Sequence, residues 1–152
     1  ELIHQTGKKN FKEVEAETKV VVEKELLNYY HPVPFLNEEE LISAYHSADL
    51  IISRAGAGSI FEISAVGKPS ILVPLPESAQ NHQIKNAYAY AEKGCAIVME
   101  EANFTPHFLL ERLKYLFANP QKLKEMGERA KKFSKPESAR IIAEYIMEYL
   151  LQ

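Results

Sequence analysis

From residue 1 to about residue 100, short apolar runs alternate with helical patterns. Three of the four runs are continuously apolar, as expected for strands covered on both faces. The predicted strands are Leu2–Gln5, Asp49–Ser53, Ser70–Leu75 and Cys95–Met99. The helices predicted between them are Phe11–Thr18, Glu38–Ala48, Ser59–Val66 and Asn81–Lys93. This alternation predicts an α/β fold with a parallel sheet flanked by helices.

The remaining segments are less regular. Prolines make Tyr29–Leu36 extended, because each one restricts its own backbone and that of the residue before it. Asn37 is a good N-cap for the helix that follows. Val20–Glu25 fits either a strand or a continued helix, and the pattern leaves both open. From Thr105 onward the chain is predicted to be helical only.

Composition narrows the class of protein. The 152 residues are 46% hydrophobic and 26% charged, which is typical of one globular domain. The net charge of −3 gives no electrostatic case for binding nucleic acid. A single cysteine, Cys95, cannot form a disulfide or a thiolate metal site, and fits a cytoplasmic protein. The chain opens with a strand and no Met, so we expect a fragment truncated at its N-terminus.

The turn from Ser53 to Glu62 carries the clearest chemical signal. Gly56 and Gly58 let the backbone approach a ligand closely, and the first N–H groups of the following helix can bind a phosphate. Ser59 can cap that helix or donate to the phosphate, and Glu62 can accept bonds from a pair of sugar hydroxyls. The same residues also fit an ordinary strand-to-helix connection with a capping box. The spacing does not match G-x-G-x-x-G, so a dinucleotide site is disfavoured.

A ligand of an open parallel sheet binds outside the carboxyl ends of the strands. The loops predicted at those ends are Thr6–Asn10, Phe35–Asn37, Arg54–Ser59 and Pro76–Asn86. They converge if the sheet is parallel, and most of them carry polar side chains that suit a sugar nucleotide.

Several blocks together resemble a known family. They are His4–Gly7, Phe35–Leu36, Ala48–Ala57, Gly67–Pro76 and Asn81–Ala87. In this order and spacing the chain resembles the C-terminal half of enzymes in glycosyltransferase family 28. The members that it resembles are N-acetylglucosaminyltransferases, which convert lipid I to lipid II in peptidoglycan synthesis. The resemblance implies one Rossmann-like lobe of a GT-B enzyme, the lobe that binds the donor UDP-GlcNAc.

By position, the resemblance assigns roles to individual residues. It implies that Glu62 holds the ribose and that Gly56, Ala57, Gly58 and Ser59 bind the diphosphate. Phe35 and Leu36 are expected to lie against the uracil, Leu36 offering its main-chain donor and acceptor. Gln83, with His82 and Asn86, is expected to reach the GlcNAc hydroxyls. Arg54 either neutralises the diphosphate or braces the turn by bonding loop carbonyls, and we favour bracing.

The implied reaction is inverting transfer of GlcNAc, with UDP-GlcNAc as donor substrate, no cofactor and no metal. No residue here is a convincing catalytic base, so we expect the chain to be inactive alone. The acceptor-binding N-terminal domain would be absent, and membrane contact would not occur through this chain. The full enzyme is expected to be cytoplasmic, at the inner face of the cell membrane. Alternatives are a non-catalytic sugar-nucleotide-binding subunit, another GT-B transferase, or a UDP-GlcNAc epimerase.

Overall fold

The computed structural model describes residues 1–78 and 81–150. The chain divides into two compact units, one over Glu1–Ser47 and the other from Ala48 onward. The prediction of a single donor-binding lobe over residues 1–152 stays a prediction.

The first unit is built on a two-stranded parallel sheet. Its elements in chain order are β1 (Leu2–Gln5), α1 (Phe11–Val21), a 3-10 helix (Lys24–Tyr29), β2 (Tyr30–Val33) and α2 (Glu38–Ser47). The segment left open by the sequence is therefore helical to Val21, with a 3-10 turn after it. Asn37 caps α2 as predicted, because its Oδ1 accepts from Glu40 N–H while its own N–H donates to Glu40 Oε2.

The second unit is built on a three-stranded parallel sheet, in the order β3-β4-β5. Its elements are β3 (Ile51–Ser53), α3 (Ala57–Val66), β4 (Ser70–Leu72), α4 (His82–Glu92), β5 (Ala96–Val98), a 3-10 turn (Glu101–Asn103), α5 (Pro106–Phe117), α6 (Pro120–Phe133) and α7 (Ser138–Leu150). The strand order and the helical C-terminal part agree with the predicted fold class. The strands are shorter than predicted, since only three residues of each form the ladder.

The buried apolar core of the second unit lies around β4. Ile71 packs with Met99, and α5 and α6 add Leu116 and Met126. Tyr90 of α4 is fully buried, and its ring meets Phe133 edge-on with centroids 4.9 Å apart. Within the described part of the chain its hydroxyl has no hydrogen-bond partner, and burial raises the pKa of Tyr90. None of the helices in the described ranges is long and apolar enough to cross a membrane.

Helix α6 approaches the end of α3 closely at a pair of glycines. Gly67 ends α3 in the left-handed conformation, with φ of 67°, as the sequence predicts for a C-terminal glycine. Gly127 of α6 is buried against it, and a methyl group at Gly127 would come within 2.6 Å of the Gly67 carbonyl oxygen. The two backbones can therefore be this close only while residue 127 has no side chain.

This contact makes Gly127→Ala a stringent stability test. Alanine is otherwise the better helix former, but here its methyl group must displace the backbone of Gly67. We therefore expect the free energy of unfolding to fall by about 1–3 kcal/mol. Urea unfolding followed by circular dichroism measures the change. The matched control is Gly58→Ala in α3, where an added methyl group meets nothing within 4 Å. Equal stability of both variants would contradict the close-contact account.

Candidate functional site

The turn after β3 leads directly into the N-terminus of α3. Gly56 is the N-cap, in an extended conformation with φ −64° and ψ 144°, and no side chain caps the helix. Ser59 is the third residue of the helix, so the predicted helix start at Ser59 was wrong. Of the two roles considered for Ser59, that of N-cap is excluded, and with it the alternative of a capping box with Glu62. The helix begins two residues earlier because Ala57 and Gly58 already adopt helical geometry.

Neither glycine of this turn is required by the fold. Neither has a positive φ. A methyl group at Gly56 would meet only Ser59 Oγ, at 3.9 Å, and one at Gly58 would meet nothing within 4 Å. Among the described residues, no atom beyond the neighbouring backbone lies closer than 3.9 Å to a methyl group added at either glycine. The first N–H groups of α3 have no partner within the helix, and a helix N-terminus of this kind can bind an anion.

Arg54 braces the turn, as the sequence analysis favoured. One guanidinium nitrogen, Nη2, lies 2.6 Å from Glu101 Oε1, in the segment after β5. The other, Nη1, donates to the carbonyl oxygen of Val73 after β4, at 3.4 Å. Both partners are about half exposed, so the ion pair is screened by solvent. Arg54 thus ties together the segments that follow all three strands of this sheet.

Two amide side chains of α4 face the same segments. Gln83 Oε1 accepts from Leu75 N–H at 3.1 Å, and Asn86 Nδ2 donates to the carbonyl oxygen of Ala55 at 3.3 Å. The structure therefore brings Gln83 and Asn86 together with the glycine turn, as the parallel sheet predicts. Each amide uses one end for this contact, which leaves the opposite end as a donor or acceptor for a ligand.

The start of α4 is unusual in its backbone. Asn81, its N-cap, has φ of 55°, and it is the non-glycine residue with positive φ among those described. His82 follows as the first helical residue and is exposed. The predicted loop Pro76–Asn86 includes residues 79–80, which lie outside the described residues.

Glu100 and Glu101 were missed by the sequence analysis. Both follow β5 directly, at the same sheet edge as the glycine turn. Glu100 accepts a hydrogen bond of 2.7 Å from the Tyr88 hydroxyl, and this bond to a carboxylate raises the pKa of Tyr88. An acidic pair directly after a buried strand was the available signal.

Glu62 lies one turn beyond Ser59 on α3 and is exposed.

In the first unit, Phe35 and Leu36 follow β2 and lie beside the loop after β1. Leu36 N–H donates to Gln5 Oε1 at 2.9 Å. Lys8 Nζ lies 5.3 Å from the centre of the Phe35 ring. Phe35 is 57% exposed, so its ring is accessible apart from Lys8. The main-chain donor expected of Leu36 is therefore already used by the chain itself.

A shallow, open cleft of the structure is lined by none of the predicted site residues. It has a volume of about 560 Å³ and lies on the second unit. Its lining is aromatic and cationic: Phe61, Lys93, Arg129, Lys132, Phe133 and Lys135. Among residues 1–78 and 81–150, no group of His, Cys, Asp and Glu side chains could hold a metal ion.

Known proteins resemble this chain over most of its length. Residues 1–142 match the model of the glycosyltransferase family 28 C-terminal domain. A UDP-N-acetylglucosamine–N-acetylmuramyl-(pentapeptide) pyrophosphoryl-undecaprenol N-acetylglucosamine transferase of Bacteroides thetaiotaomicron is 38% identical over 147 residues, which are 97% of this chain and 38% of that protein. The protein of the same name from Desulforamulus reducens is 33% identical over 141 residues, 91% of this chain and 37% of its own length.

Solved structures agree with the sequence relatives. The crystal structure of Acinetobacter baumannii MurG superimposes with a TM-score of 0.79 and 28% identity, over 96% of this chain and 40% of that one. Glycosyltransferase VinC, solved in complex with dTDP, is similar in fold, with a TM-score of 0.60 and 24% identity over 78% of this chain and 27% of that one.

The chain thus spans well under half the length of these relatives. The match confirms the predicted fold class, a Rossmann-like lobe of a GT-B glycosyltransferase. It also confirms the resemblance on which the residue assignments were based. The chain belongs to the glycosyltransferase family 28 C-terminal domain family.

Proposed function

We propose that this chain is the donor-binding part of an inverting N-acetylglucosaminyltransferase. In this proposal it binds UDP-GlcNAc, and the complete enzyme transfers GlcNAc to the lipid-linked muramyl-pentapeptide lipid I, giving lipid II for peptidoglycan. The names of the family relatives specify this donor sugar and this acceptor.

The open N-terminus of α3 is the observation that carries the proposal. Its first N–H groups have no intrahelical partners, and glycines at the N-cap and at the second helical position carry no side chain that could hinder a ligand there. A diphosphate bears the charge that this end of a helix favours. A purely structural turn has no need of two glycines without positive φ, whereas a phosphate site gains close approach to the backbone from them.

Other residues are assigned to the other parts of the donor. We assign the ribose hydroxyls to Glu62, one turn further along α3, because a carboxylate can accept from both hydroxyls. We assign the GlcNAc hydroxyls to Gln83 and Asn86, with His82 beside them. In the first unit we assign the uracil to Phe35 and Leu36.

The chemistry of this part is stabilisation of a leaving group. An acceptor hydroxyl oxygen attacks C1 of GlcNAc, the bond from C1 to the β-phosphate oxygen breaks, and UDP takes up the electron pair. Backbone N–H groups of Ala57, Gly58 and Ser59 would stabilise the charge that develops on the diphosphate. Arg54 acts on this step indirectly, by holding the turn through Glu101 and Val73.

The remaining functions belong elsewhere in the complete enzyme. We place the acceptor site and the catalytic base in the part that the longer relatives possess and this chain does not span. The proposal includes no cofactor or metal, and it locates the complete enzyme in the cytoplasm at the inner face of the membrane.

Glu62→Ala tests the ligand class directly. Loss of bonds between a carboxylate and two hydroxyls should weaken UDP and UDP-GlcNAc binding about tenfold or more. Calorimetric titration of the purified chain with UDP, UDP-GlcNAc, UDP-glucose and NAD measures it. Glu128→Ala, an exposed change on α6, is the matched control and should leave affinity unchanged. No binding of any uridine ligand by the unaltered chain would contradict the proposal.

Gly56→Ala tests the phosphate position. The added methyl group would lie 3.9 Å from Ser59 Oγ, at the turn where the proposal places the diphosphate, so we expect UDP affinity to fall about tenfold. Its cost to stability should be about 1 kcal/mol or less, since glycine is only moderately better than alanine as an N-cap. Gly58→Ala, two residues further on, should change UDP affinity much less. Normal UDP binding by Gly56→Ala would exclude a diphosphate held close against this turn.

A further inference from the structure

The side chain of Gln5 is hydrogen-bonded to Leu36 N–H, the main-chain group that the proposed function assigns to the uracil. Gln5 is the last residue of β1, and its Oε1 accepts from Leu36 N–H at 2.9 Å. Next to it, Thr6 fixes the strand ends, because its N–H and Oγ1 donate to the Val33 carbonyl oxygen at 2.9 and 3.1 Å. Thr6 is buried, whereas Gln5 is exposed. The anchor is therefore Thr6, and the Gln5 side chain can leave without opening the strand pair.

A glutamine carboxamide and a uracil present the same hydrogen-bonding edge. The carboxamide has a carbonyl oxygen beside an N–H donor, and uracil has O4 beside the N3–H donor. Either group can accept from a peptide N–H and donate to a peptide carbonyl. The Leu36 main chain therefore cannot bind both at once through its N–H.

We infer that Gln5 is a built-in competitor of the nucleobase, holding Leu36 N–H in the absence of donor and giving it up when uracil binds. This inference rests on the proposed function, and in particular on the assignment of Leu36 to the base. Donor binding then exchanges one hydrogen bond for another at this position. The base adds less net affinity than its contacts suggest, and Gln5 sets how much.

Lys8 covers the Phe35 ring in a similar way, with its ammonium group over one face. Its ammonium lies 5.3 Å from the ring centre, within the range of a cation–π contact. A base that packs on this face of Phe35 must displace Lys8 as well. The Leu36 N–H and the Phe35 ring are thus both in contact with the end of β1 and the loop after it.

The test is a series of UDP affinities at position 5. If Gln5 competes, Gln5→Ala removes the competitor and should tighten UDP binding about threefold to tenfold, the worth of one neutral hydrogen bond. Gln5→Glu should weaken UDP binding, because a carboxylate accepts more strongly from Leu36 N–H than an amide does. The predicted order of affinity is Ala, then Gln, then Glu.

A supporting role for Gln5 predicts the opposite order. If the bond only held Leu36 in its binding conformation, Gln5→Glu would keep the affinity and Gln5→Ala would lose it. That order, or equal affinities in all three proteins, would overturn the inference. Gln5→Glu retains an acceptor for Leu36 N–H, so the series does not depend on one variant that loses the contact.

Two controls separate this result from other effects. Pyrophosphate has no base, so its affinity should be the same with Ala, Gln or Glu at position 5. A change in pyrophosphate affinity that matches the change for UDP would overturn the inference. Gln121→Ala, the same substitution on exposed α6, should leave UDP affinity unchanged. If the unaltered chain binds no UDP, the proposed function fails; if it binds UDP but the order is wrong, only the role of Gln5 fails.

Discussion

Parallel pairing of β3, β4 and β5 is the constraint on which the candidate site of the second unit depends. The ladder is short, yet Ser53, Leu72 and Val98 end their strands in register. Because all three strands run the same way, the segments after them leave from one edge of the sheet. The glycine turn, Leu75 and the acidic pair Glu100–Glu101 are adjacent for this reason.

Polar contacts then fix the positions of the segments that follow the three strands. Arg54 joins the first segment to the other two, through Glu101 and the Val73 carbonyl oxygen. Gln83 and Asn86 add bonds from α4 to the same segments. These contacts hold the loops beside the α3 N-terminus, so the anion site that we propose there would be preorganised. Preorganised donors of this kind need little rearrangement when charge develops.

Local patterns in the sequence located β1, β3, β4 and β5, although the last three were predicted too long, and placed most helix ends within a few residues. Gly67 was recognisable because a glycine before Lys-Pro fits a helix C-terminus, and Asn37 because an asparagine before three glutamates fits an N-cap. The start of α3 was misplaced because Ser59 has the better capping side chain, whereas Gly56 ends the turn through backbone conformation alone. Side-chain preference is a weak guide where the cap needs no side chain.

Contacts between distant residues were beyond these patterns. Arg54 and Glu101 are 47 positions apart, and their pairing depends on a strand order that the sequence does not state. The packing of Gly127 against Gly67 also joins separate helices. The bond from Gln5 to Leu36 was missed for the same reason, although it decides whether the main-chain donor of Leu36 is available. Family resemblance assigned roles to residues, and the structure adds which of their atoms are already engaged.

The most direct test of the account is the location of bound nucleotide on the chain. Titration of isotope-labelled protein with UDP, followed by amide nitrogen–proton spectra, reports which backbone N–H groups meet the ligand. The account predicts that the largest shifts occur at Ala57, Gly58 and Ser59, with a further change at Leu36. Shifts confined to the aromatic and cationic cleft around Phe61 and Phe133, or absent from the α3 N-terminus, would contradict it.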